Sequence, residues 1–433
     1  MLRSALHTVC MLLSAVLICL ASGFSLAAER PPNLVFIMAD DLGYGHLGCY
    51  GQRKIKTPHI DRLAAEGMRF TQVYAGCNVC APCRSVLMTG LHMGHTPVRA
   101  NSGGVPLRDE DVTVAEVLKA AGYATGGFGK WGLGDAGSSG VAHRQGFDEF
   151  FGYYDQVHAH SFYPRYLWHN DKKYELTGNS GRDADGLTGE KRETYSHDVI
   201  VEKARDFIQR HRDEPFFCYL PVTVPHYELL VPEDSLRQYA GQWPEPNPYI
   251  TESKHYADQP QPRAALAGMI SRLDRDVGRL MELLKELELD ENTVVFFTSD
   301  NGAQGGLGVD PEFFNATGPS RGTKGSMYEG GLRVPMIVRW PGKIPAGAVN
   351  DHVWYFPDVM PTLAELAGAT PPEKIDGISV VPTLLGQGSQ QEHDFLYWET
   401  AGFNTNSGEM RTNTLTQAVR MGRWKGIRAR GDR

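Results

Sequence analysis

Apolar and polar positions along this chain follow two rhythms, and the switches between them predict most of its elements. Residues 34–39 form an unbroken apolar run, the mark of a strand covered on both faces. Residues 294–298 read as another strand, and further short strands fit 216–220 and 336–340. Elsewhere the spacing is helical. Thr57-Pro58 opens a segment with Ile60, Leu63 and Ala64 on one face, and Gly67 stops it. Thr113 and Glu116 have capping-box spacing ahead of Val114, Val117, Leu118 and Ala121, with Gly122 as the stop. Residues 265–287 predict a long helix. Strands alternating with helices predict an α/β fold, a mostly parallel sheet with helices on both faces. Gly- and Ser-rich stretches at 132–140 and 302–308 read as loops.

The first 28 residues break both rhythms. Arg3 and His7 precede an apolar run at 9–21, and small residues follow up to Ala27 and Ala28. That order predicts an export leader and a periplasmic or secreted protein. The run is too short for a stable membrane span, and no second one follows. Composition adds a bound on class. The chain has 433 residues, 41% of them hydrophobic, enough for a large core in one major domain plus a smaller unit. A formal net charge of −8 argues against nucleic acid as the main partner, although a local pocket can still bind anions.

Loss of the leader would remove Cys10 and Cys19 and leave Cys49, Cys77, Cys80, Cys83 and Cys218. An odd count in an exported protein requires an explanation. Cys77, Cys80 and Cys83 are spaced to hold a metal cluster or zinc, to pair as a disulfide, or to sit as buried thiols. The triplet lacks a fourth ligand, and Pro82 and Arg84 crowd it.

Acidic residues fall where strands end. Asp40-Asp41 follows the first apolar run, and Asp300-Asn301 follows the run at 294–298. Sites in open α/β sheets form beyond the carboxyl ends of strands. Three carboxylates and an amide oxygen suit Ca²⁺, and less well Mg²⁺. A turn or helix cap is the plainer role for each pair alone.

Cys80-Ala81-Pro82-Cys83-Arg84, continued by Ser85-Val86-Leu87-Met88-Thr89-Gly90, resembles the signature of the type I, formylglycine-dependent sulfatases of the alkaline phosphatase superfamily. Asn33 to Gly43, Gly129-Lys130-Trp131, Pro225-His226, Thr298-Ser299-Asp300-Asn301-Gly302, Gly322-Thr323-Lys324-Gly325 and Glu329 to Pro335 resemble further family segments in order. The resemblance implies an alkaline-phosphatase-like fold and an exported arylsulfatase-like enzyme. It also implies conversion of Cys80 to Cα-formylglycine by a formylglycine-generating or sulfatase-maturating enzyme. Asp40, Asp41, Asp300, Asn301 and the modified Cys80 would hold the cation. Arg84 would hold the modified residue, Lys130 and Lys324 would clamp sulfate, and His226 would protonate the leaving oxygen. The expected organisation is a leader at 1–28, a catalytic body at 29–392 and a partial antiparallel unit at 393–433, with strands at 395–399 and 417–427.

Residues 153–168 add His158 and His160 among Tyr153, Tyr154, Tyr163 and Trp168. They read as a sugar subsite or as a packed aromatic cluster. The substrate expected is a sulfated small molecule or glycan. Two departures from the family pattern stand out, at Gly132 and at Cys83, which replaces the usual serine of the signature. Gly132 occupies the place of a histidine that takes a proton during regeneration in the family, so either His95, His143, His158 or His160 substitutes or this branch works differently. The chain also stops at Arg433, where relatives continue, which reads as a shortened product. The alternatives are a phosphoester or phosphonate-ester hydrolase of the same superfamily and a catalytically impaired sulfoglycan-binding homologue.

Overall fold

The computed structural model describes residues 30–101, 106–180, 190–251, 255–403 and 409–429. The expected leader lies outside the described residues. The strands are β1 (Asn33–Ala39), β2 (Met68–Tyr74), β3 (Ala124–Lys130), β4 (Glu149–Tyr153), β5 (Tyr166–His169), β6 (Lys172–Glu175), β7 (Phe216–Pro221), β8 (Thr293–Ser299), β9 (Arg333–Arg339), β10 (Ala348–Asn350), β11 (Trp354–Tyr355), β12 (Leu396–Phe403), β13 (Met410–Met421) and β14 (Trp424–Arg428). The first eleven form one sheet in the order β10-β2-β9-β8-β1-β7-β3-β4-β5-β6, with β11 beside β2. Its centre, β8-β1-β7-β3-β4, is parallel throughout. Antiparallel pairs begin only at β9 and β5.

β1 is buried at all seven positions, and its alternate residues feed two cores. Val35, Ile37 and Ala39 pack with Ile60 and Leu63 of the helix Pro58–Glu66, Phe207 of the helix Ser196–Arg210 and Leu273 of the helix Pro262–Glu286. Leu34, Phe36 and Met38 pack on the other face with Val86 of the helix Cys80–Thr89, Leu118 of the helix Val114–Ala120 and Met360 of the helix Val359–Leu366. Each buried side chain of this size stabilises the fold by about 1.5–3 kcal/mol. The continuous apolar run of β1 follows from this double coverage. Among the described residues, no helix is long and apolar enough to cross a membrane.

The local signals act as expected. Thr113 Oγ1 accepts from the Glu116 N–H at 3.2 Å, and a Glu116 carboxylate oxygen accepts from the Thr113 N–H at 2.8 Å. Pro58 starts its helix and Gly67 caps it. Two boundaries differ. The long helix begins earlier, at Pro262, which fits a first-turn position. β9 begins at Arg333, ahead of the apolar run, because Arg333 pairs with Tyr74 and donates to the Thr71 carbonyl at 2.7 Å.

β12, β13 and β14 form the separate antiparallel sheet. It is seated on the segment that leads to Cys80. Trp398 is fully buried and its Nε1–H donates to the Ala75 carbonyl at 2.8 Å. Lys425 pairs with Glu329 at 2.9 Å.

Candidate active site at the carboxyl ends of the central strands

Strand register brings the two acidic pairs together. β1 and β8 run parallel, with Ala39 opposite Ser299, so Asp40-Asp41 and Asp300-Asn301 leave the sheet side by side. Asp41 has φ 65°, a left-handed conformation that aspartate tolerates better than most residues. Its N–H donates to Asp300 Oδ1 at 3.1 Å, and Asn301 Nδ2 donates to Asp41 Oδ1 at 2.6 Å. All four side chains are buried.

Cys80 is the first residue of the helix Cys80–Thr89. Pro82 falls in the first turn, where no intrahelical N–H is needed. The Ala81 N–H at this helix start is taken by Asn101 Oδ1 at 2.9 Å, a contact that no local sequence signal announced. The Cys80 thiol donates to Asp40 Oδ1 at 3.3 Å, and Lys324 Nζ donates to Cys80 Sγ at 3.5 Å. One turn on, Arg84 Nη2 lies 2.8 Å from Asp300 Oδ2 and 3.4 Å from Asp40 Oδ2. Its Nη1 also donates to the Lys130 carbonyl.

Lys130 ends β3 and reaches Asp40 Oδ2 at 2.7 Å, while Lys324 Nζ reaches Asp41 Oδ2 at 2.8 Å. His226 follows β7. Its Nδ1 is 2.5 Å from the Tyr227 carbonyl and its Nε2 is 3.5 Å from Asp41 Oδ2. Nine positions named from the sequence thus meet in one place: Asp40, Asp41, Cys80, Arg84, Lys130, His226, Asp300, Asn301 and, from its separate loop, Lys324.

His158 and His160 diverge. His158 is 1% exposed and packs against the rings of Tyr153 and Tyr166 at 5.0 and 4.8 Å. His160 instead stacks on His226, with ring centroids 5.1 Å apart and planes within 15°. His255 and Tyr256 complete this group, and Glu228, fully buried, ties its segments together. No local sequence pattern marks these three, since the groups they meet lie far along the chain.

Cys77 and Cys83 are buried, free and outside the group of metal-capable atoms formed by Asp40, Asp41, Cys80 and His226. That group's ligand atoms lie within 4.8 Å of one another. Burial pushes the Cys80 thiol well above its ordinary range, reinforced by Asp300 and Asp40. An unaltered thiol here is therefore protonated and a poor nucleophile. Burial also works on the acids, but Lys130, His226 and Arg84 hold Asp40 well below the usual carboxylate range. Asp300 is pushed up to about 6 by burial and by Asp40. His226 is held well below its ordinary value by burial and by the Lys324 charge.

The donor set fits a hard cation. Three buried carboxylates face three buried or half-buried cations, Arg84, Lys130 and Lys324. Asn301 Oδ1 is buried with no hydrogen-bond partner among the described residues, and such an oxygen needs one. A divalent ion beside Asp40 and Asp41 would satisfy it and release the two lysines.

The comparisons with known proteins agree with this chemistry. The Sulfatase family model matches residues 32–369, and the model of the N-sulphoglucosamine sulphohydrolase C-terminal region matches residues 323–431. Human arylsulfatase A is 35% identical over 93% of this chain and 78% of its own length. Human N-acetylgalactosamine-6-sulfatase is 33% identical over 86% of this chain and 69% of its own. Among solved structures, Ps i-CgsB in complex with k-i-k-neocarrahexaose superposes with a TM-score of 0.75 at 28% identity, over 92% of this chain and 84% of that one. By the extent of these matches the chain belongs to the sulfatase family, the sulfuric ester hydrolases.

Proposed function

We propose that this protein is an exported sulfatase that hydrolyses a sulfate ester on a carbohydrate, using Cys80 converted to formylglycine and one calcium ion. The observation that carries this reading is the convergence of Cys80 with Asp40, Lys130 and Lys324 at hydrogen-bond distances. A buried thiol among carboxylates is a poor nucleophile, and a hydrated aldehyde at the same position is a competent one. The formylglycine hydrate supplies the attacking hydroxyl, and the cation held by Asp40, Asp41, Asp300 and Asn301 supplies electrostatic stabilisation.

The side chains have separable tasks. Lys130 and Lys324 bind the sulfate oxygens, which draws both ammonium groups off the carboxylates. Arg84 fixes the carboxylates of Asp40 and Asp300 and the Lys130 carbonyl. His226 has its Nδ1 bound to the Tyr227 carbonyl, so Nε2 is the nitrogen that serves the leaving oxygen. The negative charge of a bound sulfate offsets Lys324 and lets Nε2 carry a proton.

A carbohydrate substrate is supported by the names of the relatives, an N-acetylgalactosamine-6-sulfatase and a structure holding neocarrahexaose. Export, to the periplasm or beyond, rests on the leader-like residues 1–28, and maturation implies a formylglycine-generating or sulfatase-maturating partner.

The test has two parts. The mass of the Cys80 peptide, from protein made beside a maturation enzyme, is expected to show an aldehyde or its hydrate. The matured protein is then expected to release sulfate faster than phosphate from esters of one aryl alcohol. A plain thiol at position 80, or faster phosphate release, would overturn the proposal.

A further inference from the structure

The small antiparallel sheet turns one face inward and leaves the other to solvent. Leu396, Trp398 and Ala418 are buried with Tyr74 and Leu332, and Ile427 packs beside them. Alternate residues of a strand point to opposite faces. Tyr397, Val419 and Gly426 therefore lie on the outer face, paired in one row across β12, β13 and β14. The flanking rows place Met421 beside Trp424 and Gln417 beside Arg428. Trp424 is 72% exposed, the most of any large hydrophobic side chain among the described residues, and Met421 is 59% exposed. Two such neighbours in solvent mark an interaction surface.

Gly426 opens this face. It sits inside β14 opposite Val419, its φ lies outside the left-handed region, and a Cβ built there would meet nothing within 4 Å. Neither the backbone nor the packing requires glycine, and a glycine of this kind marks a place where a ligand approaches closely. The space above it is a cavity of about 370 Å³, lined by Tyr397, Gln417, Val419, Gly426 and Arg428 among others. Trp424 and Arg428 stand on either side of it, about 13 Å apart along the strand. The charge here runs against the rest of the chain. Residues 410–429 hold Arg411, Arg420, Arg423, Lys425 and Arg428 and no Asp or Glu, in a protein of net charge −8. Arg420 and Lys425 are engaged with Gln72 and Glu329. Arg423 and Arg428 are exposed and form no ion pair among the described residues. The Arg423 guanidinium carbon lies 5.2 Å from the centre of the Trp424 ring, so charge and aromatic plane are offered together.

We propose that this outer face is a docking surface, separate from the catalytic group, for a sulfated polysaccharide chain. The assignment rests on the carbohydrate reading above and not on the chemistry of residue 80. The Trp424 indole presents an apolar plane to the C–H face of a sugar ring. Arg423 and Arg428 present planar donor forks to sulfate oxygens. An aromatic plane alone would suit any apolar partner, and guanidinium groups alone would suit any anion. Together, beside an open cavity, they suit a chain that carries rings and anions in turn. The negative charge of the rest of the protein repels such a chain and leaves this sheet as the favoured place of contact. None of these residues belongs to the group around Cys80, so the surface holds a long chain near the enzyme and leaves a short ester untouched.

The test uses soluble chondroitin sulfate and carrageenan, each against its desulfated form, and full-chain protein with Cys80 unconverted so that neither probe is consumed. Affinity electrophoresis is expected to show retardation by a sulfated polymer, relieved by added salt. Trp424→Ala, and Arg423→Glu with Arg428→Glu, should each weaken binding about tenfold or more. Gly426→Val fills the cavity with a residue that favours strands. It should keep or exceed the parental Tm and still bind about tenfold more weakly, which separates lost binding from lost folding. In matured protein, kcat/KM on a small aryl sulfate should stay parental in every variant. Parental binding by Trp424→Ala and Gly426→Val, or equal retardation by the desulfated polymers, would overturn the assignment while leaving the sulfatase reading intact. A dimer that Trp424→Ala dissociates would give the face to a second copy, and stronger binding to phosphatidylglycerol vesicles would give it to a membrane; either would also overturn it. Intact polymer binding with no turnover of any sulfate ester by matured protein would overturn the sulfatase reading alone.

Discussion

Arg84 and Asp300 form a fork: the guanidinium Nη2 and Nε lie 2.8 and 3.2 Å from one oxygen, Oδ2, of the carboxylate. Both side chains are wholly buried. The same guanidinium faces Asp40 and holds the Lys130 carbonyl. Arg84→Ala would strand two buried carboxylates and is expected to cost about 3–5 kcal/mol of stability, read by urea unfolding. Arg84→Lys keeps the charge but not the fork, and should recover only part of that loss. Unchanged stability in the alanine variant would contradict this role.

Lys130 pairs with Asp40, and its contribution to turnover can be separated from folding. Lys130→Ala is expected to lower kcat by about 10²–10³-fold, with the circular-dichroism spectrum unchanged. Lys324→Ala should act in the same direction. A change confined to KM would place either lysine in substrate binding alone.

Glu228 predicts a pH effect of definite sign. Burial pushes its carboxyl up from 4.5 to about 7. Between those values the folded protein holds a proton that the unfolded chain has released, so stability falls as pH rises. The slope is about 1.4 kcal/mol per pH unit at most, for a total near 3 kcal/mol. Glu228→Gln cannot titrate and should flatten the stability curve between about pH 4.5 and 7. A parental curve that rises through this window would show the sign to be wrong.

Much of this molecule was legible in its sequence, but unevenly. β1 and β8 were plain because both faces are covered and every residue is apolar. The capping box at Thr113 was plain because its partners are three residues apart. β2 was not read, since its positions alternate between buried and half-buried and its run breaks into short pieces. The site residues were legible by type, while their pairings were not. Arg84 and Asp300 lie 216 positions apart, and only the packing of the helix Cys80–Thr89 on β1 and β8 joins them. His160 shows the limit most clearly. Its sequence neighbours suggested the same setting as His158, yet one ring is packed among tyrosines and the other faces His226.

Calcium should stabilise the folded protein through Asp40, Asp41, Asp300 and Asn301. At a free concentration about 100 times Kd the gain is about 2.7 kcal/mol, seen as a higher Tm that a chelator reverses. Asp40→Asn and Asp300→Asn are expected to lose most of this response. A Tm indifferent to calcium and magnesium would argue against a hard-cation site.

The bond from Trp398 to the Ala75 carbonyl has a temporal consequence. It joins residues 323 positions apart, and the lid it fastens lies over the turn that leads into Cys80, itself only 1% exposed. A ribosome adding about 5–20 residues per second needs on the order of tens of seconds to travel between them. During that interval the nascent chain already displays Cys80 but lacks the strands that seal its neighbourhood. Another protein acting on this sulfur during that interval would meet it before the strands that cover its neighbourhood exist.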